Sequence, residues 1–425
     1  MGRRRSALVI GAGAVGLACA FELAESGHPV TVLDAGRVGA AASAGNAGWV
    51  TPFLSTPRAA PGAVRQALQS FARPEGPARM RPHAEVGFAR WIAQFLLATR
   101  KRSSDRATAA LQRFARDSQA AFESLEARGV AMEYHRTGLA VVFKDAARMD
   151  AYLQLGAKVA ALGYRGRISP YRGQDALEFE PALHPSVAGA VHLVDESHVR
   201  PESLTDGLAE AIRLRGGEIL EGRRVTMMRL HRGGAWSVST ASGEEHRAST
   251  VVVAAGHRSR ELMSQVGVRV PIESAKGTSL TASGAGTTPA RALKLYESMV
   301  ACSPFGDQVR LSGTYDIGVR DASLNRRRLE SVVRQGRSYL RDWEPARPTL
   351  EWAGHRPTTP DDLPIIGPVR KRPGLYLATG HGTLGITLAP LTGAMLAREI
   401  DAGRTDPWLR QFNLDRFAGL VPRSF

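Results

Sequence analysis

The chain has 425 residues, 43% hydrophobic and 23% charged, the composition of a globular protein with material for two domains and a sizeable core. Its 56 Lys and Arg against 40 Asp and Glu give a net charge of +16, but arginine supplies nearly all of it, spread along the chain without the basic blocks of a nucleic-acid-binding tail. Cys19 and Cys302, far apart, provide neither a disulfide framework nor a metal-ligand cluster.

The opening MGRRRSALVIGAG has arginines but no apolar leader region before Ala7, so neither a secretory signal nor a twin-arginine leader is expected. No apolar run reaches bilayer-spanning length. A cytoplasmic chain is expected, its basic charge compatible with peripheral contact at the inner membrane face. Ala7–Ile10 reads as a buried parallel strand. Gly11, Gly13 and Gly16 follow as G-x-G-x-x-G around Ala14 and Val15. Leu17 to Ser26 reads as a helix stopped by Gly27, and PVTVLDA as a second strand ending at Asp34. This is a complete dinucleotide-binding β-α-β unit. Gly11 makes the tight turn, Gly13 admits a pyrophosphate, Gly16 lets helix and strand pack, and Asp34 is placed to bond a ribose hydroxyl. The motif leaves NAD and FAD both open. GRVGAAASAGNAGWVTP then shows no short third strand of a nicotinamide domain, and its small residues suit backbone passing close to a flat ring.

From residue 56 to about 195 the periodicity becomes helical. PHAEVGFARWIAQFLLATRKR and SSDRATAALQRFARDSQAAFESLEARG read as amphipathic helices, with Trp91, Phe95 and Phe114 as core. EYHRTGLAVVFKD reads as a strand, DAARMDAYLQLGAKVAALG as a helix and GAVHLVDESHVRP as a returning strand. PESLTDGLAEAIRLRGG gives a helix stopped at Gly216–Gly217. Thr250–Val253 is a β-branched strand running into Ala255 and Gly256, at the carboxyl end where open α/β sheets place ligands. KLYESMVACSPFGDQVRLSGTYDIG suggests two strands around a turn at Gly306–Asp307. After Trp352 the glycine-rich pattern returns, and ATGHGTLGIT leads into a helix over Thr387 to Ile400. The expected fold is α/β. A discontinuous Rossmann-like domain comes from 1–55, 196–260 and 350–425, and an α+β substrate domain with a mixed antiparallel sheet from 56–195 and 261–349.

Three separated segments carry a resemblance: VIGAGAVGLACAFELAESGHPVTVLDAG with SAGNAGWVTP, then VPIESAKGTSLT, then WAGHRPTTPDDLPIIGPV with LYLATGHGTLGITLAPLTGAMLAREI. Together the chain resembles the FAD-dependent D-amino-acid oxidase superfamily, most of all the bacterial D-amino-acid dehydrogenase small subunits. The resemblance implies non-covalent FAD. Gly11, Gly13, Ala14, Val15 and Gly16 match the pyrophosphate loop, Asp34 the ribose acid, and Ser43, Asn46, Ala47 and Gly48 the loop beside the flavin. Val225 matches an adenine contact, and Ala255 and Gly256 a second cofactor turn. The late turn, Gly380, Gly382, Thr383, Leu384 and Gly385, matches the one that closes on the flavin ring. A helix start there would stabilise the charge gained on reduction. Arg356 matches the arginine that binds a substrate carboxylate, a group its fork suits. His381 is a candidate base, and Tyr315 and Tyr296 are candidate substrate-side hydroxyls.

The implied activity is oxidative deamination of a D-amino acid by hydride transfer from Cα to flavin N5. The imino product hydrolyses to a keto acid and ammonia, and the electrons pass to a quinone, a partner protein or oxygen. Oxidation of glycine, sarcosine, hydroxyproline, an opine or another secondary amine shares every motif. A partner-dependent FAD-binding subunit with little activity alone is an alternative of another class. RNA binding is not expected, since no basic, aromatic-interleaved module is present. Nor is a metal site expected. Two departures bear on the pocket: Thr278 stands where an aromatic often follows Lys-Gly, and GTYDIG replaces a small-residue and glutamate pattern.

Overall fold

The computed structural model describes residues 5–63 and 76–418. Residues 1–4, with Arg3 and Arg4, and 419–425, assigned to the cofactor domain, lie outside the described residues. So do residues 64–75. Ala7–Ile10 is buried at every position and pairs in parallel with Val30–Leu33 and Thr250–Val253. The sheet has six strands in the order Glu218–Leu220, Val30–Leu33, Ala7–Ile10, Thr250–Val253, Leu375–Thr379, Ile365–Pro368. All pair in parallel except the last. Such apolar, β-branched strands suit a sheet covered on both faces.

The helices Ala14–Glu25, Pro201–Leu214 and Gly385–Ala402 contribute Leu17, Phe21, Leu208, Ile212, Leu388 and Leu396 to one buried cluster. The first and last of these follow the carboxyl ends of parallel strands, so their N-termini open at the same sheet edge.

The second large sheet is mixed and nine-stranded. Its main order is Glu344–Thr358, Glu273–Ala285, Gln308–Ile317, Val300–Phe305, Ala292–Leu295, Leu139–Phe143, Gly189–Leu193, Ile168–Arg172. Ala78–Met80 pairs beside Gln308–Ile317. The expected turn at Gly306–Asp307 joins two of these strands.

Some expected elements divide. The helix expected over 103–129 becomes Lys101–Ala115 and Ser118–Ala127. The break lets Phe114 pack on Trp408 and Phe412 while Phe122 stacks on Tyr134. The strand expected over 133–145 splits at Gly138, φ +76°, into Tyr134–His135 and Leu139–Phe143, which join different sheets. The domain boundary expected at 350 falls inside Glu344–Thr358, a 15-residue strand of the large sheet.

Arg310 is 1% exposed and lies between the two halves. Its Nη1 donates to the carbonyls of Ala44 and Asn46, both at 3.0 Å, and its Nε to Thr281 Oγ1 at 2.8 Å. Nη2 pairs with Glu202 at 2.6 Å. Ser303 donates to Ala47 O at 2.7 Å and Ser312 to Gly45 O at 3.2 Å. The large sheet thus supplies the donors that the irregular 43–48 loop cannot find within itself.

Glu196 is 2% exposed, and its Oε1 accepts the Phe53 N–H at 3.2 Å. Burial pushes its carboxyl up to about 8.

Arg310→Met is expected to lower stability by about 3 kcal/mol, because it strands buried carbonyls and a carboxylate; urea denaturation measures this. Glu196 adds a pH dependence. The folded chain holds this proton up to about pH 8, against an ordinary value of 4.5 in the unfolded chain. The stability it contributes is therefore complete below pH 4.5 and is lost as pH rises through 8. Glu196→Gln should flatten that fall in a series of denaturation midpoints across the same range.

Candidate active site

Three turns meet at the carboxyl edge of the six-stranded sheet. In the first, Gly11 has φ +114°, and a Cβ at Gly16 would strike the Gly11 carbonyl oxygen. The Ala12 N–H donates to Asp34 Oδ2 at 2.6 Å and the Gly36 N–H to Oδ1 at 2.7 Å. Asp34 therefore shapes the glycine turn directly, and a carboxylate has further lone pairs for a ribose hydroxyl. The Ala14 N–H donates to Ser43 Oγ at 3.0 Å, so Ser43 stands at the helix start beside Val15. Asn46 Oδ1 accepts the Gly48 N–H at 2.8 Å, which holds Ala47 in a fixed bend. Val225 opens a strand of a separate three-stranded sheet, tied to Asp34 through the Arg223 N–H at 2.6 Å.

The second turn carries Ala255 and Gly256, and Thr379 Oγ1 donates to Gly256 O at 3.1 Å. The third is the late glycine turn. Gly380 and Gly382 both have positive φ, the Gly382 N–H donates to Pro357 O at 2.8 Å, and His381 bridges to Thr358. Leu384 is the N-cap of a helix that begins at Gly385 without a side-chain cap, so its N–H groups face outward at the dipole's positive end. Thr387 Oγ1 donates to Trp49 O at 2.8 Å, joining this helix to the small-residue loop.

His381, the candidate base, is 4% exposed, its Nε2 lies 3.0 Å from Thr392 Oγ1, and burial pushes the imidazole down to about 3, which favours a neutral ring.

Beside the third turn lies a cluster of cationic and aromatic side chains. Arg356 Nη1 donates to Thr314 O at 3.1 Å, and the guanidinium covers Gly277, where any Cβ would collide with it. No carboxylate among the described residues pairs with Arg356. Burial lowers its pKa to about 10, which leaves it charged at neutral pH. Thr314 has φ +62° at a bulge in the pairing of Glu273–Ala285 with Gln308–Ile317. Such bulges re-aim side chains. Here Tyr315 lies with its hydroxyl 2.8 Å from Thr358 Oγ1. The Arg58 guanidinium stacks 4.1 Å over the Tyr315 ring and donates to Thr383 Oγ1 at 3.0 Å. Asp362, φ +57°, sits 3.5 Å from Arg58 and accepts the Arg58 and Ala59 N–H groups at 2.6 and 3.1 Å.

Tyr315 and Arg356 thus come together. Tyr296 instead packs against Phe143 and Tyr152, with ring centroids at 4.6 and 5.5 Å. Arg58 and Asp362 were missed by sequence reasoning; one is an arginine among many, and the other lay unassigned in TTPDDLP. Among the described residues there is no group of side chains placed to hold a metal, and no helix is long and apolar enough to cross a membrane. Surface hollows at Met227, Trp236 and Arg372, and at Pro29, Glu245 and Arg247, lie away from these turns.

A family described as FAD dependent oxidoreductase matches residues 6–399. The chain is 33% identical over 423 residues to D-amino acid dehydrogenase 2 of Pseudomonas aeruginosa, covering 98% of each chain. It is 31% identical over 398 residues to a D-amino acid dehydrogenase of Methylobacterium nodulans, covering 92% of this chain and 94% of that one. Among solved structures, glycine oxidase from Geobacillus kaustophilus superimposes with TM-score 0.75 at 23% identity, over 97% of this chain and 99% of that one. Iminodiacetate oxidase from Chelativorans gives 0.73 at 21%, over 96% and 98%.

The residues fit FAD on structural grounds. The Gly11–Gly16 turn is a cradle that side chains would fill, and the late helix offers uncapped N–H groups. Gly13→Val tests this. A Cβ at Gly13 meets no backbone and only Ser43 Oγ, at a tight 3.3 Å to which that side chain must give way, and it stands in the cradle. FAD affinity should fall about tenfold or more, read from the flavin-to-protein absorbance ratio after desalting, with an unchanged far-UV circular dichroism spectrum.

Proposed function

Because the chain belongs to the family of FAD-dependent oxidoreductases, and is an enzyme of that kind acting on amine donors, we propose that it deaminates a D-amino acid oxidatively. The observation that carries this is Arg356, a cation with no carboxylate partner among the described residues, beside the late glycine turn. Its fork receives the substrate carboxylate, and Gly277 leaves it room. Tyr315, held by Thr358, borders the same carboxylate. Fixing the carboxylate fixes the substrate Cα, which converts binding energy into orientation. FAD, when bound, supplies the two-electron acceptor for the Cα hydride. The amine must shed its ammonium proton first, and that proton passes to water because His381 is too weakly basic to take it. The imino acid leaves and hydrolyses to a keto acid and ammonia.

The names of the relatives support the D-amino-acid assignment. Oxidation of glycine or a secondary amine would use the same anchor and is the second reading; a partner-dependent subunit would show little turnover as an isolated chain. Cys19 and Cys302 are both buried, which supports non-covalent FAD. We assign cofactor binding to the half built on the six-stranded sheet and substrate binding to the other, with the last crossover after Thr358. Electrons go on to a quinone, a partner protein or oxygen, and the arginine-rich surface suits peripheral contact with an anionic membrane.

Anaerobic addition of D-alanine, D-proline, their L-forms and glycine to the FAD-loaded protein tests this. Bleaching of the flavin absorbance by a D-form and not its L-form is expected. Bleaching by glycine or N-alkyl amino acids alone would replace the proposal with the second reading. Arg356→Met should cost roughly 1000-fold in kcat/KM, about 4 kcal/mol, with partial recovery in Arg356→Lys.

A further inference from the structure

The site proposed for the substrate carries more positive charge than one α-carboxylate can use. Arg356 has no carboxylate partner among the described residues. Arg58 shares Asp362 with two backbone N–H groups. A third cation, Lys294, lies on the strand Ala292–Leu295. Alternation puts Leu293 and Leu295 into one core cluster and turns Lys294 to the opposite face, with Ala292 and Tyr296. That face packs against Phe53 and Leu54, on the segment that leads to Arg58. Its backbone is paired in the sheet, but among the described residues its ammonium makes no hydrogen bond or ion pair. Burial first, and then the Arg58 charge, push its ammonium down to about 8, so the two cations feel each other and Lys294 remains mostly charged at neutral pH. Asp316, the other nearby carboxylate, is taken by Arg328 at 2.6 Å.

We propose that the substrate amine carries a second carboxylate, received by Lys294 and Arg58 while Arg356 holds the first. This rests on the reading of Arg356 as the carboxylate anchor. Three cations and Asp362 leave two positive charges in a partly desolvated site. A monocarboxylate neutralises one of them and leaves Lys294 without a partner; a dicarboxylate neutralises both. The second carboxylate can sit on the side chain, as in D-glutamate, or on the nitrogen, as in iminodiacetate.

Kinetics of the FAD-loaded enzyme on matched pairs test this: D-glutamate against D-glutamine, D-aspartate against D-asparagine, and iminodiacetate against sarcosine. Calorimetric titration of the holoenzyme with succinate and with butyrate reads the same charge without turnover. The dianion of at least one pair should be preferred by about tenfold or more in kcat/KM, and succinate should bind correspondingly tighter than butyrate. The preferred pair identifies where the second carboxylate lies. Lys294→Met and Arg58→Gln should each collapse both ratios toward one, and Lys294→Arg should restore them. Turnover of D-alanine with no preference in any pair, and succinate no tighter than butyrate, would overturn this inference alone. Turnover of no amine at all would overturn the proposed function and this inference with it.

Discussion

A buried guanidinium joins the two halves of the molecule. Arg310 leaves the middle of the large sheet and spends its donors on the carbonyls of Ala44 and Asn46, in a loop with no regular structure of its own. Those carbonyls need partners, since unpaired polar backbone away from water is costly. The loop is consequently cast on the large mixed sheet, although it follows the first β-α-β unit in sequence. Trp352 closes against the same loop at Gly45, from the strand that bears Arg356. The loop assigned to the cofactor and the proposed carboxylate anchor are therefore two sides of one packed seam.

The charges in the site follow a consistent rule. Two helix starts, at Ala14 and Gly385, turn their positive ends toward the region assigned to the cofactor. Arg356, Arg58 and Lys294 are the three side-chain cations proposed to meet an anionic substrate. Between them the one histidine of the late turn is kept neutral by burial. A further positive charge there would add repulsion with no anion to offset it. The net charge of the whole chain says nothing of this arrangement, which arises from a few positions brought together by the fold.

Much of the fold was legible because its signals are local. Thr250–Val253 is a β-branched run ended by small residues, and the structure has a strand of the same bounds. The Gly11–Gly16 turn and the Gly306–Asp307 hairpin likewise depend on neighbours in sequence. The long strand Glu344–Thr358 was not legible, because its regularity comes from pairing with Glu273–Ala285, some seventy positions away. The cationic cluster lies in between. Arg356 stood in a recognisable motif. Arg58 was hidden by the abundance of arginine, and its partner Asp362 lies on a turn 304 positions away. Lys294 left a signal that went unread: lysine is rare in this chain, and in ALKLY it occupies an inward position of a buried strand.

The tie between Pro357, Thr358 and the late glycine turn has a consequence for how such an enzyme can diversify. The carboxylate anchor and the helix start behind the turn are rungs of one backbone ladder, joined by the Gly382–Pro357 hydrogen bond and the bridge from Thr358 to His381. Their separation is set by the repeat of the peptide chain, so the anchor works as a ruler. On the proposed reading of Arg356, it holds the reacting carbon at one distance whatever side chain the substrate carries. Residues outside that ladder, such as Lys294 on the strand Ala292–Leu295, can then change without disturbing that distance, and a new substrate can be acquired while the measure stays fixed.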